Sequence, residues 1–129
     1  MLYALGDDER KRAIAIALLA KQPTISTQVI NECSHVLRRR QQIASKEVAR
    51  LLEDIVKLAQ VADVGMAQVR EAWNLGARFG YGHYDCLIMA TALAAGCSVL
   101  YTEDLHHDQV IDGRMTLVNP FREPAGDRG

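Results

Sequence analysis

Residues 84–95, YDCLIMATALAA, constrain the fold more than any other segment. Beyond Asp85 and Thr91 the stretch has no polar face, and a helix that is apolar all round has to be covered on every side. Its alanines let a neighbouring layer approach closely. The run is about half of what a bilayer crossing requires, so the covering layers must come from the chain itself. At 129 residues, 49% of them hydrophobic and 24% charged, the chain is long enough for one domain around such a core.

The segments around it supply those layers. Residues 8–20 read as a helix capped by Asp7 or Asp8, with Ala13, Ile16, Ala17 and Ala20 at helical spacing. Pro23 breaks it, and Thr24-Ile25-Ser26 reads as a strand. Ser26 or Thr27 caps a second helix that runs to about Arg40, with Val29, Cys33, Val36 and Leu37 inward. Ser45 opens a third, on Val48, Leu51, Leu52, Ile55, Val56 and Ala59. Val61 to Val64 is a weaker strand. Met66, Val69, Trp73 and Ala77 then form a helical stripe that ends at Gly80, and Gly80 to His83 is a loop. Gly96 closes the apolar helix as its C′ residue. Cys97 to Thr102 is a strand, residues 104–113 a polar loop, and Met115 to Val118 a last strand ahead of Pro120. Strands alternating with helices imply right-handed crossovers and an α/β fold, its central parallel sheet covered by helices on both faces. Residues 1–121 are expected to form the domain and residues 122–129 a flexible C-terminal tail.

Fifteen basic against sixteen acidic residues give a net charge of −1, so overall charge does not announce a nucleic-acid binder, and a local basic patch stays open. Cys33, Cys86 and Cys97 form no CxxC pair and sit among apolar neighbours, as reduced, mostly buried thiols do. The opening residues turn acidic at Asp7-Asp8 before an apolar signal segment can form. The expectation is a cytoplasmic protein with no membrane contact.

In open α/β sheets, sites lie beyond the carboxyl ends of the strands. Three acids fall there. Glu32 lies in the second turn of the helix after the first strand, Asp85 opens the apolar helix, and Asp104 follows the strand ending at Thr102. Singly, each has an ordinary reading: an exposed helix glutamate, a helix-start acid favoured by the dipole, a turn acid with Glu103 beside it. Gathered at one sheet edge, three carboxylates repel, and a hard divalent ion such as Mg²⁺ or Mn²⁺ relieves that repulsion. Such an ion activates water and stabilises charge on a phosphodiester. Arg38-Arg39-Arg40 ends the helix that carries Glu32. These cations either complete the helix terminus or meet a phosphate backbone. Tyr81 and Tyr84 flank His83 beside Asp85, placed to stack on a base or to pack and order the loop. His106-His107-Asp108 is a poor metal site, because adjacent loop histidines rarely aim at one ion. Arg10-Lys11-Arg12 reads as a solvated face.

Thr27-Gln-Val-Ile-Asn-Glu32, Tyr84-Asp85-Cys-Leu-Ile-Met-Ala-Thr-Ala92, Tyr101-Thr-Glu-Asp-Leu105 and Val118-Asn-Pro-Phe121 together resemble a PIN-domain ribonuclease of the VapC toxin type. The likeness runs from Leu2 to Phe121 and rests on order and spacing rather than on one specific motif. It implies a three-layer PIN-like fold and Mg²⁺- or Mn²⁺-dependent cleavage of RNA. It also implies neutralisation by a small antitoxin, and a homodimer. Glu32, Asp85 and Asp104 match three of the family's four acidic positions as metal ligands and catalytic groups, and Thr102 matches a small hydroxyl residue before the last acid. Arg38, Arg39 and Tyr84 are the expected RNA contacts. One departure stands out. The family's first strand ends in an aspartate just before a Leu-Tyr-Ala-like stretch, whereas here Met1-Leu-Tyr-Ala4 opens the sequence, so the first strand reads as truncated. Two expectations follow: a start upstream of Met1, with an Asp about four codons before it, or a shortened, catalytically impaired binding module.

Overall fold

The computed structural model describes residues 8–103 and 105–122. Five helices and five short strands follow one another as α1 (Glu9–Leu19), β1 (Thr24–Ser26), α2 (Thr27–Arg39), α3 (Ser45–Val56), β2 (Gln60–Ala62), α4 (Met66–Phe79), α5 (His83–Ala94), β3 (Val99–Tyr101), β4 (Val110–Ile111) and β5 (Met115–Val118). The architecture is α/β. No helix among the described residues is long and apolar enough to cross a membrane.

Among the described residues the strands form two sheets rather than the one central sheet expected. β1 pairs with β2 in parallel, Ile25 opposite Val61. β3 pairs with β5 in parallel, Leu100 opposite Leu117, and β4 adds to the far edge of β5 antiparallel. Neither β1 nor β3 has a second neighbour among those residues. β4 lies in the stretch expected to be a polar loop. Two residues are too few for a periodic signal, but the turn after them is legible. Asp112 and Gly113 both have positive φ, 53° and 64°, and Arg114 N–H donates to the Ile111 carbonyl at 2.9 Å. Asp-Gly is the preferred pair for such a turn.

The core has two centres. One gathers Leu19, Ile25, Cys33, Leu37, Val48, Leu52 and Ile55 around β1, α2 and α3. The other surrounds α5 and draws on Ala72 and Leu75 of α4, Ile111 of β4, and Met115 and Leu117 of β5. Helix α5 is buried at Cys86, Leu87 and throughout Met89–Leu93, as an all-round apolar helix requires. It packs on α4 and also touches α2 and β1, so it joins the two centres.

Two helices present different faces from those expected. In α1 the buried residues are Ala15 and Leu19, while Ala13, Ile16, Ala17 and Ala20 are exposed. Apolar residues occur all around that helix, so spacing alone could not choose a side. In α4, Ala72 and Leu75 face the core with Val69 and Phe79 beside them, and Met66, Trp73 and Ala77 point outward. The two alternative stripes on α4 are about equally apolar, and contact with α5 selects the one with smaller side chains. Helices α2 and α3 bury the residues their periodicity indicates, Cys33 and Leu37 in the first, Val48, Leu52 and Ile55 in the second. All three cysteines are free thiols. Of the expected tail, only Arg122 is among the described residues.

Candidate active site

Asp85 is the third residue of α5. The helix is capped by Gly82, which has no side chain to accept from the first-turn N–H groups. The Asp85 carboxylate leans back over that end: a Cβ built on Gly82 would lie 3.8 Å from its Oδ2. A negative charge is favoured there by the positive end of the helix dipole. Asp85 is half-buried, and Cys86 behind it is fully buried. Burial, and then the charge of Asp85, push the Cys86 thiol up from its ordinary value, and its Sγ lies 3.6 Å from the Tyr81 carbonyl as donor. Burial thus favours the protonated thiol, which points to the Tyr81 carbonyl.

Glu32 sits one turn into α2. Ser26 caps that helix, its Oγ accepting from Val29 N–H at 3.1 Å. Thr27 Oγ1 accepts from Val64 N–H at 3.1 Å, which binds the start of α2 to the segment after β2. Because β1 and β2 are parallel, this bond lies beyond the carboxyl ends of both strands, the place where α/β sheets put their sites. Glu32 is exposed; Gln28 Nε2 donates to its Oε1 at 3.3 Å, and no cation bridges it among the described residues. The neighbouring Cys33 thiol is pushed up to about 11, chiefly by burial.

Asp104 lies outside the described residues. Its neighbour Glu103, half-buried, is taken by Lys11, whose Nζ donates to Oε1 at 2.7 Å. Lys11 also stands 5.4 Å from the centre of the Phe121 ring, and Arg10 Nη2 donates to the Phe121 carbonyl at 2.7 Å. The expected solvated face of α1 is thus partly a clamp on the turn after β3 and on the last described residues. Sequence carried no signal for it, because the partners are about a hundred positions apart and α1 has no marked polar side. Thr102 N–H donates to the Val118 carbonyl at 2.9 Å and extends the β3–β5 pairing to the foot of this turn.

Helices α2 and α5 pack together, so Glu32 and Asp85 stand on adjoining elements. No group of three or more His, Cys, Asp or Glu converges to hold an ion among the described residues, a set that excludes Asp104. The donors available fit a hard divalent cation: carboxylate oxygens, with both nearby thiols buried.

The expected nucleic-acid contacts are accessible. Tyr84 is exposed, its ring edge-on to His83 at 5.5 Å, one residue before Asp85. Arg38 and Arg39 are exposed in the last turn of α2. Arg38 also borders an open groove of about 340 Å³ between α2 and α3, with Ile30, Ser34, Ser45, Val48 and Glu53. Tyr81 is a packing residue: its hydroxyl donates to Gln109 Oε1, and its ring lies between Phe79 and His106. The two loop histidines diverge, as expected. His106 meets Tyr81 edge-on, whereas His107 Nδ1 accepts from Asn119 N–H at 3.0 Å.

A comparison with known protein families matches residues 1–112 to the PIN domain. No curated protein matches the chain. PIN domains are typically nucleases that use divalent metals.

Proposed function

The chain belongs to the PIN-domain family, and on that premise we propose that it is a Mg²⁺- or Mn²⁺-dependent endoribonuclease of the VapC toxin type. In this reading it is cytoplasmic, neutralised by a small antitoxin, and active as a homodimer. Supporting it most directly is Asp85, a carboxylate held over the start of a buried helix whose cap residue, Gly82, has no side chain, beside an accessible tyrosine and on a helix adjoining that of Glu32. Glu32, Asp85 and Asp104 would hold the cation, and the cation would supply activation of water and neutralisation of phosphate charge.

The chain's own residues do the rest. The buried body of α5 fixes Asp85, and the Thr27–Val64 bond fixes the start of α2 and with it Glu32. Tyr84 offers a ring face for a base, and Arg38 and Arg39 attract the phosphate backbone. In the reaction, water oxygen bonds to phosphorus, the P–O3′ bond breaks, and a proton goes to the departing O3′. The products are a 3′-hydroxyl and a 5′-phosphate.

Asp85→Asn tests the assignment. It preserves the shape and removes the charge, so metal-dependent cleavage of RNA should fall at least a hundredfold while the circular dichroism spectrum is unchanged. A variant that cuts RNA at the wild-type rate overturns it. A second reading, a PIN-like binding module without catalysis, is favoured by the sheet's division into two among the described residues. Titration with Mn²⁺ separates the two: the module shows no saturable binding that Asp85→Asn removes.

A further inference from the structure

The start of α1 carries the wrong charges for a helix. Arg10, Lys11 and Arg12 follow closely on the N-cap Asp8, and cations at the positive end of the dipole destabilise the helix. Something other than the helix has to use them. The Asp8 carboxylate accepts from Lys11 N–H at 3.0 Å, so the cap fixes the backbone that bears Lys11. From there Lys11 Nζ reaches Glu103 Oε1 at 2.7 Å, the two side chains only 26% and 31% exposed. The same ammonium stands over the Phe121 ring, and Arg10 holds the Phe121 carbonyl. The Arg50–Glu47 pair, by contrast, joins neighbours on one helix and is more exposed. The Lys11 pair is a joint between distant parts of the chain.

What the joint holds is the turn after β3. Glu103 is followed by Asp104, a cation ligand in the functional reading, and sequence alone leaves the two adjacent acids as alternatives for that role. Electrostatics separates them. An ammonium in contact with Glu103 offsets its charge and repels a divalent ion that approaches it. The chain on the far side of Asp104 is held as well, because Leu105 packs against the α5 centre of the core. Just ahead of Glu103, Thr102 N–H donates to the Val118 carbonyl. The two residues that flank Asp104 in sequence are therefore anchored separately, one by α1 and the other by the core. Groups that hold a metal ligand from outside set the affinity of the metal nearly as strongly as the ligand itself.

We infer that Glu103 is a handle rather than a ligand, and that Lys11 is a positioning residue which, through Glu103, sets the turn leading into Asp104. This rests on the nuclease reading above, with Asp104 as a ligand, and names what holds that ligand's turn. Lys11 then tunes the affinity of the cation without touching it.

Calorimetric titration of the whole chain with Mn²⁺, without RNA, tests this apart from cleavage. Lys11→Ala should weaken Mn²⁺ binding roughly tenfold, the low end for a group acting from outside a ligand, with an unchanged circular dichroism spectrum. Lys11→Arg, which keeps the charge and the reach, should recover most of that loss. Lys11→Glu and Glu103→Lys each press like charges together and should weaken binding at least as much as Lys11→Ala. Combined in one chain they rebuild the pair in reverse, and affinity should return to within about threefold of the wild type. In cleavage assays the Mn²⁺ concentration at half-maximal rate should follow the same order, while the rate at saturating Mn²⁺ changes little; general damage to the fold would lower that rate too. Wild-type affinity in Lys11→Ala overturns the inference. So does a reversed pair that binds no better than Glu103→Lys, which means that the cation needs Glu103 itself. Where a charge-reversed chain fails to fold, Lys11→Ala against Lys11→Arg decides. Failure of the nuclease reading shows separately, as a wild-type chain with no saturable Mn²⁺ binding that Asp85→Asn removes, and the inference falls with it.

Discussion

The two halves of the core are built differently. Around α5, Leu75, Cys86, Met89, Ile111, Met115 and Leu117 lose essentially all contact with water. Around α2 and α3 every buried hydrophobic side chain retains a few per cent, from Leu37 at 4% to Leu19 at 9%. One centre wraps a helix on all sides. The other is made from single faces of amphipathic helices over a two-stranded sheet. Asp85 therefore stands on the stiffer base, and Glu32 on the one that can give more. A truncated side chain in a close-packed region leaves a cavity that neighbours cannot fill, whereas a looser region partly collapses.

That contrast can be broken by paired truncations. Met89→Ala should cost about 4 kcal/mol and Leu52→Ala about 2 kcal/mol, measured by urea denaturation followed by circular dichroism. Equal losses would mean that the halves are packed alike. Alkaline pH probes buried thiols in both halves, Cys86 beside α5 and Cys33 in the α2–α3 half, and the larger shift is at Cys33. Cys33 ionises at 9.0 when unfolded and at about 11 when folded, because burial disfavours the thiolate. The protein keeps this contribution below pH 9 and loses it as pH rises through 11, by roughly 3 kcal/mol in all. Cys33→Ala should flatten that decline in denaturation midpoints; an unchanged slope would place the sensitivity elsewhere. The smallest effect expected is at the clamp. Lys11→Ala removes a half-buried ion pair worth under about 1 kcal/mol, and a melting-temperature drop of more than several degrees would show that α1 carries more of the structure than its packing indicates.

The same contrast explains what the sequence disclosed. Helix α5 was legible because it has no polar face, and β5 because its inward and outward residues alternate. The inner faces of α2 and α3 followed from period alone. On α1 and α4, apolar residues lie on both sides, and only tertiary contact decides between them. The division of the sheet was not legible either, since strand order is a property of pairing between distant segments. At the site, local patterning placed Glu32 and Asp85 near helix starts and put the exposed Tyr84 beside the acid. The Lys11–Glu103 bond and the Thr27–Val64 bond join residues 92 and 37 positions apart, and no local pattern encodes such partners.

Arg10 holds the Phe121 carbonyl, and Lys11 holds Glu103. The first and last described elements of the chain therefore meet on one patch of surface, beside the turn that follows β3. Loosening either contact frees both limits of the described fold at once, so opening there is a shared event rather than two separate frayings.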